Sequence, residues 1–229
     1  MKNLRILLAV ILLVISSTTY AQQKGEWNVR LRGVGVIPQE KATIGVIGGD
    51  VDISKSFIPE LDFTYYFANN FSAELILGTT RHKVKTTSSN LAAIGGPASA
   101  DVDLGKVWLL PPTLTLQYHV PTGGIMRPYI GAGVNYTIFY GADEGPTVKG
   151  VDYKNSFAFA AQAGVDIDLN KKWFLNIDVK RIFLNTDVTV DASNLTPASN
   201  PSLEPTLRNI PADVKIRPWL IGVGIGCRL

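Results

Sequence analysis

Between Trp27 and Leu229 the sequence alternates apolar and polar residues with a period of two, over and over. That period is the pleat of a β-strand, whose side chains point to opposite faces in turn; a helix would repeat every 3.6 residues. In Glu60–Phe67, Leu61, Phe63, Tyr65 and Phe67 share one face, and Glu60, Asp62, Thr64 and Tyr66 the other. In Phe71–Thr79, Phe71, Ala73, Leu75 and Leu77 oppose Ser72, Glu74 and Gly78. Tyr129–Ile138, Phe157–Leu169 and Trp173–Lys180 follow the same rule. Trp27–Val36, the proline-bearing stretch Lys106–Val120 and a last segment from Val214 bring the expected count to eight strands, with no helix of useful length. The chain is all-β.

The connections alternate in length. Ala68–Asn70 and Asn170–Lys172 are tight turns and Pro121–Met126 is short, whereas Pro38–Phe57, Lys85–Gly105, Gly141–Asn155 and Asp191–Asp213 are long and rich in Gly, Pro, Ser, Thr and Asn. An even number of strands joined by short turns at one end and long loops at the other is the pattern of an up-and-down transmembrane barrel. Trp27, Phe67, Phe71, Tyr118, Tyr136, Trp173 and Trp219 fall near strand ends, as interfacial aromatic girdles do. A soluble eight-stranded barrel of lipocalin type remains an alternative, because alternation alone does not say which face is inside. The N-terminus favours the membrane. Lys2 and Arg5, an uncharged apolar run Ile6–Ile15 and the small-x-small site Thr19-Tyr20-Ala21 read as a secretory signal peptide over residues 1–21, too short to span a bilayer. Residues 22–229 are then the exported barrel, and export places it in the outer membrane of a Gram-negative envelope. Without Lys2 and Arg5 the 22 basic residues fall to 20 against 19 acidic, so no basic footprint for nucleic acid is left. A single cysteine, Cys227, rules out a disulfide scaffold within the chain.

Five stretches resemble the outer membrane protein W (OmpW) family: Arg81–Val84 (RHKV), Leu110–Val120 (LPPTLTLQYHV), Arg127–Thr137 (RPYIGAGVNYT), Gln162–Asp166 (QAGVD) and Pro218–Leu229 (PWLIGVGIGCRL). The resemblance runs over nearly the whole exported chain. It implies an eight-stranded barrel associated with the passage of small hydrophobic molecules, as in the alkane-uptake members. One departure is at the end of the chain. Such barrels usually close on an aromatic residue with another two places earlier, and here Leu229 and Cys227 stand there, which bears on recognition by the barrel-insertion machinery.

If the aliphatic face meets lipid, the other face gathers Arg30, Arg32, Glu60, Asp62, Glu74, His82, His119, Asp166, Asp168, Asp178, Lys180 and Arg228. Buried charges have to be paired, so Arg30, Glu60, Asp62, Glu74, Asp166, Asp178 and Lys180 are expected to form a charge network filling the lumen, which in an eight-stranded barrel has room for little more than side chains. Toward the long loops the inward face turns apolar: Val107 and Leu109 follow Thr113, Phe139 follows Thr137, and Ile182 and Leu184 follow Lys180. A greasy funnel above a charged floor is the expectation, with the strand phase shifting near Gly33–Val34. Pro111 and Pro112 lack the N–H that a ladder needs. Set among Trp108, Leu109 and Leu110, they are expected to hold open a side exit to the lipid. The partners are then outer membrane lipid and small hydrophobic solutes. A barrel without transport whose loops bind a receptor or adhesion target is the second reading. Catalysis has little to rest on. His82 with Ser88 and Ser89 lacks an orienting acid, two histidines do not make a metal site, and Gly222, Gly224 and Gly226 lie within a strand, where they leave space and open no cofactor loop. No cofactor, no metal and no enzymatic activity are expected.

Overall fold

The computed structural model describes residues 24–229; the signal segment expected over residues 1–21 lies outside the described residues. The strands in chain order are β1 (Trp27–Ile37), β2 (Glu40–Ile44), β3 (Asp50–Ile53), β4 (Ser56–Ala68), β5 (Phe71–Gly78), β6 (Thr80–Ser89) and β7 (Ala100–Leu110). They continue as β8 (Thr113–His119), β9 (Met126–Glu144), β10 (Gly150–Tyr153), β11 (Ser156–Asp168), β12 (Trp173–Asp191), β13 (Ile210–Ile216) and β14 (Trp219–Arg228). Eight of them close a ring in the order β1-β4-β5-β8-β9-β11-β12-β14, each antiparallel to its neighbours. The last pair, β14 with β1, shuts the sheet on itself, with Arg30 opposite Gly226 and Val36 opposite Leu220. Closure leaves no sheet edge in the hydrocarbon, where an unpaired backbone group has no solvent to bond.

The apolar face is outside. Leu31, Leu61, Leu75, Leu114, Leu116, Ile130, Leu175, Ile177 and Val223 are exposed, while Arg30, Arg32, Asp62, Glu74 and Asp166 are buried in the lumen. This excludes the lipocalin-type alternative, which needs the opposite orientation. Near the short turns Trp27, Phe67, Phe71, Tyr118 and Trp173 form one aromatic girdle, with Phe71 and Tyr118 ring centroids 5.2 Å apart. At the other rim Tyr136 packs on Phe157 at 4.5 Å, and Arg181 sits over Trp219 at 4.4 Å.

The expected long loops carry strands of their own. Two sheets rise beyond the ring: β2-β13-β12-β10 on one side and β3-β6-β7-β9 on the other. Between β2 and β3 the two sheets are joined by side chains: Asp50 Oδ1 accepts from the Ala42 N–H at 2.7 Å, and Glu40 Oε1 from the Ile53 N–H at 2.9 Å. The period of two does continue here, as in Leu184, Thr186, Val188 and Val190, all buried. Its outward face is polar, however, because it stands in water above the bilayer, and that lowers the strand signal. The apolar inner faces meet in a core of Val84, Val102, Leu104, Val107, Val188, Val190 and Val214, closed over by Leu207 from a five-residue helix, Glu204–Arg208. Strand β1 keeps its phase throughout, contrary to the shift expected at Gly33–Val34: Asn28, Arg30, Arg32, Val34 and Val36 all point inward. What changes at Gly33 is the chemistry of the inner face, and the pleat continues unbroken.

A closed wall with internally satisfied hydrogen bonds resists detergent. Unboiled protein in dodecyl sulfate should therefore migrate at a different gel position from boiled protein and show a β-type far-ultraviolet spectrum. A single migration position with a helical spectrum would refute the fold.

Candidate functional site

The lower lumen is filled by a network centred on two arginines of β1. Arg30 reaches Asp62 at 3.0 Å, Glu74 at 3.3 Å and Asp166 at 3.8 Å, and donates to Thr64 Oγ1 at 2.5 Å. Arg32 reaches Asp62 at 2.8 Å, Glu60 at 3.0 Å, Glu74 at 3.4 Å and Asp178 at 3.6 Å. Lys180 faces Glu60 at 3.3 Å. Neutral groups complete the carboxylates: Gln117 and Gln162 donate to Glu74 Oε2 at 2.6 and 2.7 Å, Tyr129 to Asp178 at 2.7 Å, and Asn176 to Asp166 at 2.7 Å. All seven expected network residues are thus brought together, with Arg32 as a second hub. The glycines of β14 make the room: a Cβ on Gly224 would lie 2.7 Å from Arg32 Cγ, and one on Gly226 2.8 Å from Arg30 Cγ. Below the network His119 Nε2 lies 3.1 Å from both Tyr66 Oη and Ser72 Oγ, and Asp168 pairs with Arg127 and Arg228 near the short turns.

The charges stop at one level around the wall. Going up each strand, Arg32 gives way to Val34, Glu60 to Ile58, Glu74 to Ile76, Gln162 to Ala160, Lys180 to Ile182 and Thr137 to Phe139, with the apolar members packed in the upper lumen. Above this level lies an apolar cavity of about 130 Å³, floored by Glu60, Lys180, Thr113 and Thr137 and roofed by Leu195 and Leu207. Leu109, Phe139, Ile182 and Leu184 line it, as the funnel expectation had them, and so does Pro111. Trp108 and Leu110 point to the outside of the same wall: Trp108 lies under Arg81 at 5.3 Å, and Leu110 is exposed.

The wall is interrupted at that floor. β5 pairs with β8 up to Ile76 opposite Thr113, and β6 resumes pairing with β7 at Thr80 opposite Leu109. The register is the same on both sides, so the three intervening positions, Leu77–Thr79 against Leu110–Pro112, face each other unpaired. Pro112 O still accepts from the Tyr136 N–H at 3.0 Å, so its missing N–H is lost to β9. Alternation then aims the backbone of Pro111 at Gly78. The carbonyl of Pro111 turns inward instead and accepts from Asn135 Nδ2 and Thr113 Oγ1, both at 3.0 Å. Gly78, Pro111 and Thr113 line the cavity, so the unpaired seam opens onto it. On the outside a latch crosses the seam: Thr79 Oγ1 donates to Leu109 O at 3.1 Å and lies 2.6 Å from Tyr140 Oη. Thr79 and Tyr140 were not legible as a pair, since they are 61 residues apart and meet through the pairing of β7 with β9.

His82 does not meet the serines set beside it in the sequence. Its Nε2 lies 3.0 Å from Thr80 Oγ1 and its Nδ1 2.5 Å from Ser54 O, whereas Ser89 bonds to Thr86 and Gly48.

A profile of the OmpW family matches residues 23–229. The chain is 42% identical over 203 residues to the uncharacterized outer-membrane protein y4mB of Sinorhizobium fredii, covering 88% of this chain and 79% of that protein. It is 31% identical to the dibenzothiophene metabolism operon protein PahQ of Pseudomonas aeruginosa, covering 87% and 92%. The crystal structure of the outer membrane protein OprG from Pseudomonas aeruginosa superimposes with a TM-score of 0.76 at 24% identity, covering 93% of this chain and 99% of that one.

Arg32 touches four carboxylates, and its loss strands charge that has left water. Arg32→Met should destabilise the barrel by about 3–5 kcal/mol in urea unfolding from lipid vesicles. Lys180→Ala should cost clearly less, because Glu60 keeps Arg32 at 3.0 Å; equal losses would contradict the assignment of Arg32 as the hub. With the lower lumen filled by side chains, planar-bilayer recordings should show no large, stable, porin-like conductance.

Proposed function

The chain belongs to the OmpW family of outer membrane proteins, and from that premise we propose that it passes small hydrophobic molecules from outside into the upper cavity and releases them sideways into the membrane. The observation that carries this reading is the coincidence of two features at one height. The apolar cavity ends on a buried charged floor, and the wall beside that floor lacks three backbone pairs. A hydrophobic solute gains nothing by crossing a paired charge network and would have to displace it. The seam offers it hydrocarbon at the same level. The name of the relative PahQ, which ties that protein to a dibenzothiophene metabolism operon, favours an apolar aromatic cargo. A receptor or adhesion surface at the top is the weaker reading, because the upper strands fold inward over the cavity.

Replacing Pro111 with Val and Pro112 with Thr returns one N–H to each side of β8. The double variant should keep its gel shift and lose most of the protein-dependent uptake of a radiolabelled apolar solute by cells. Conversely, Tyr140→Phe removes one bond of the outer latch and should leave uptake equal or faster. A well-folded double variant with undiminished uptake would reject the sideways route.

A further inference from the structure

The cavity floor holds one buried ammonium with hydrogen-bonding capacity to spare. Lys180 is 1% exposed and lines the cavity. Among the described residues its hydrogen-bond partners are the two carboxylate oxygens of Glu60, each at 3.3 Å. An ammonium has three N–H donors, so at least one is not taken by Glu60, on a side chain that lines the cavity. The neighbouring hydroxyls differ. Thr113 donates to Pro111 O at 3.0 Å, Thr137 to Asn135 Oδ1 at 2.7 Å, and Thr186 to Lys154 O at 2.6 Å. Their protons are taken up within the protein, so among the groups that floor the cavity Lys180 is the donor with capacity to spare.

The charge beneath selects the kind of guest. Arg30, Arg32 and Lys180 face Glu60, Asp62, Glu74, Asp166 and Asp178, three cationic side chains against five carboxyl groups. A carboxylate head seated on Lys180 would lie within a few ångströms of Glu60 and above a surplus of acids, with little water to screen it. A neutral oxygen meets no such repulsion and accepts the free N–H. Resting on the proposed function, we propose that Lys180 is a specificity-determining residue, and that the cavity prefers hydrophobic molecules ending in one neutral hydrogen-bond acceptor (an alcohol, phenol or ketone) over both the bare hydrocarbon and the corresponding carboxylate. The tail lies among Val36, Ile58, Phe139, Ile182 and Leu220, and the oxygen end rests on Lys180. Buried donors that a ligand leaves unpaired are the usual source of strong discrimination at such sites.

The test is a chemical-shift titration of the folded barrel in lipid nanodiscs with octane, 1-octanol and octanoate, reading cavity-lining residues. Affinities are corrected for partitioning into the lipid. The alcohol should bind tighter than the other two by on the order of tenfold, equivalent to about 1.4 kcal/mol. Lys180→Met should bring 1-octanol down to the level of octane. Lys180→Gln, which keeps an amide donor, should retain most of the preference. Equal affinities of octane and 1-octanol in the wild type, tightest binding of octanoate, or a preference unchanged in Lys180→Met would each overturn the proposal. Octane and 1-octanol shifting the cavity residues alike leaves the conduit standing and removes only the head-group preference. If no probe shifts those residues, the conduit fails as well. Should Lys180→Met not show the gel shift of a folded barrel, the wild-type ranking of the three probes decides.

Discussion

A chain that crosses hydrocarbon has to satisfy its own backbone, and everything else in this structure follows from how the ring of eight strands meets that demand. Each missing pair costs several kcal/mol where no water can substitute. The pairing of β14 with β1 is therefore a condition of the fold, and the register it fixes sets Arg30 and Arg32 between Asp62 and Glu60 on one side and Gly226 and Gly224 on the other. Two large guanidinium groups fit inside so narrow a barrel because the strand beside them has no side chains there. The same closure explains why the seam at Pro111 and Pro112 is tolerated. It spans three positions only, and the carbonyl of Pro111 has been given Asn135 and Thr113 in place of a strand partner.

The interior obeys a second rule, that charge leaves water only in company. Both carboxylate oxygens of Glu74 are engaged from other strands: Oε1 by Arg30 and Arg32 of β1, Oε2 by Thr115 and Gln117 of β8 and Gln162 of β11. Such a cross-linked floor ties opposite sides of the wall together, which a core of aliphatic side chains would do without direction. It is also an obstacle to anything that travels down the axis. A rigid floor below and an apolar cavity above are thus two results of one gradient, from charged to aliphatic, that runs along the strands of the wall.

Much of this was legible in the sequence. The period of two and the alternation of short and long connections were enough for the strands and the barrel. The inward lists of charges and of aliphatic residues met in space as a floor and a cavity wall, because a strand's parity survives folding so long as no bulge interrupts it. Two things were hidden. The upper strands were read as loops, since threonine, serine and lysine on their outer faces dilute the apolar signal once the outside is water. The apparent phase shift at Gly33–Val34 has the same origin seen from inside: an inner face that turns from Arg32 to Val34 looks like a slipped register when only hydropathy is followed. The cross-strand pairs, Thr79 with Tyr140 above all, depend on register between distant segments, and no local pattern carries that.

The height of the seam is the remaining question, and the gradient answers it. A gap lower in the wall would open between Glu74 and Thr115, exposing charges to lipid at a cost no local side chain could offset. A gap higher up would lie beyond the hydrocarbon, where β6 and β7 carry Lys83 opposite Lys106 on their outer faces and a solute leaving sideways would re-enter water. Between Ile76 and Thr80 the outer face already carries Leu110 and Trp108, and the inner face borders the apolar cavity just above its charged floor. Only at that level can the backbone be left unpaired with hydrocarbon on one side, an apolar cavity on the other, and hydroxyl and amide side chains near enough to take the orphaned carbonyl. The two prolines sit there because it is the one height at which their missing N–H groups do not open the charge network to the membrane.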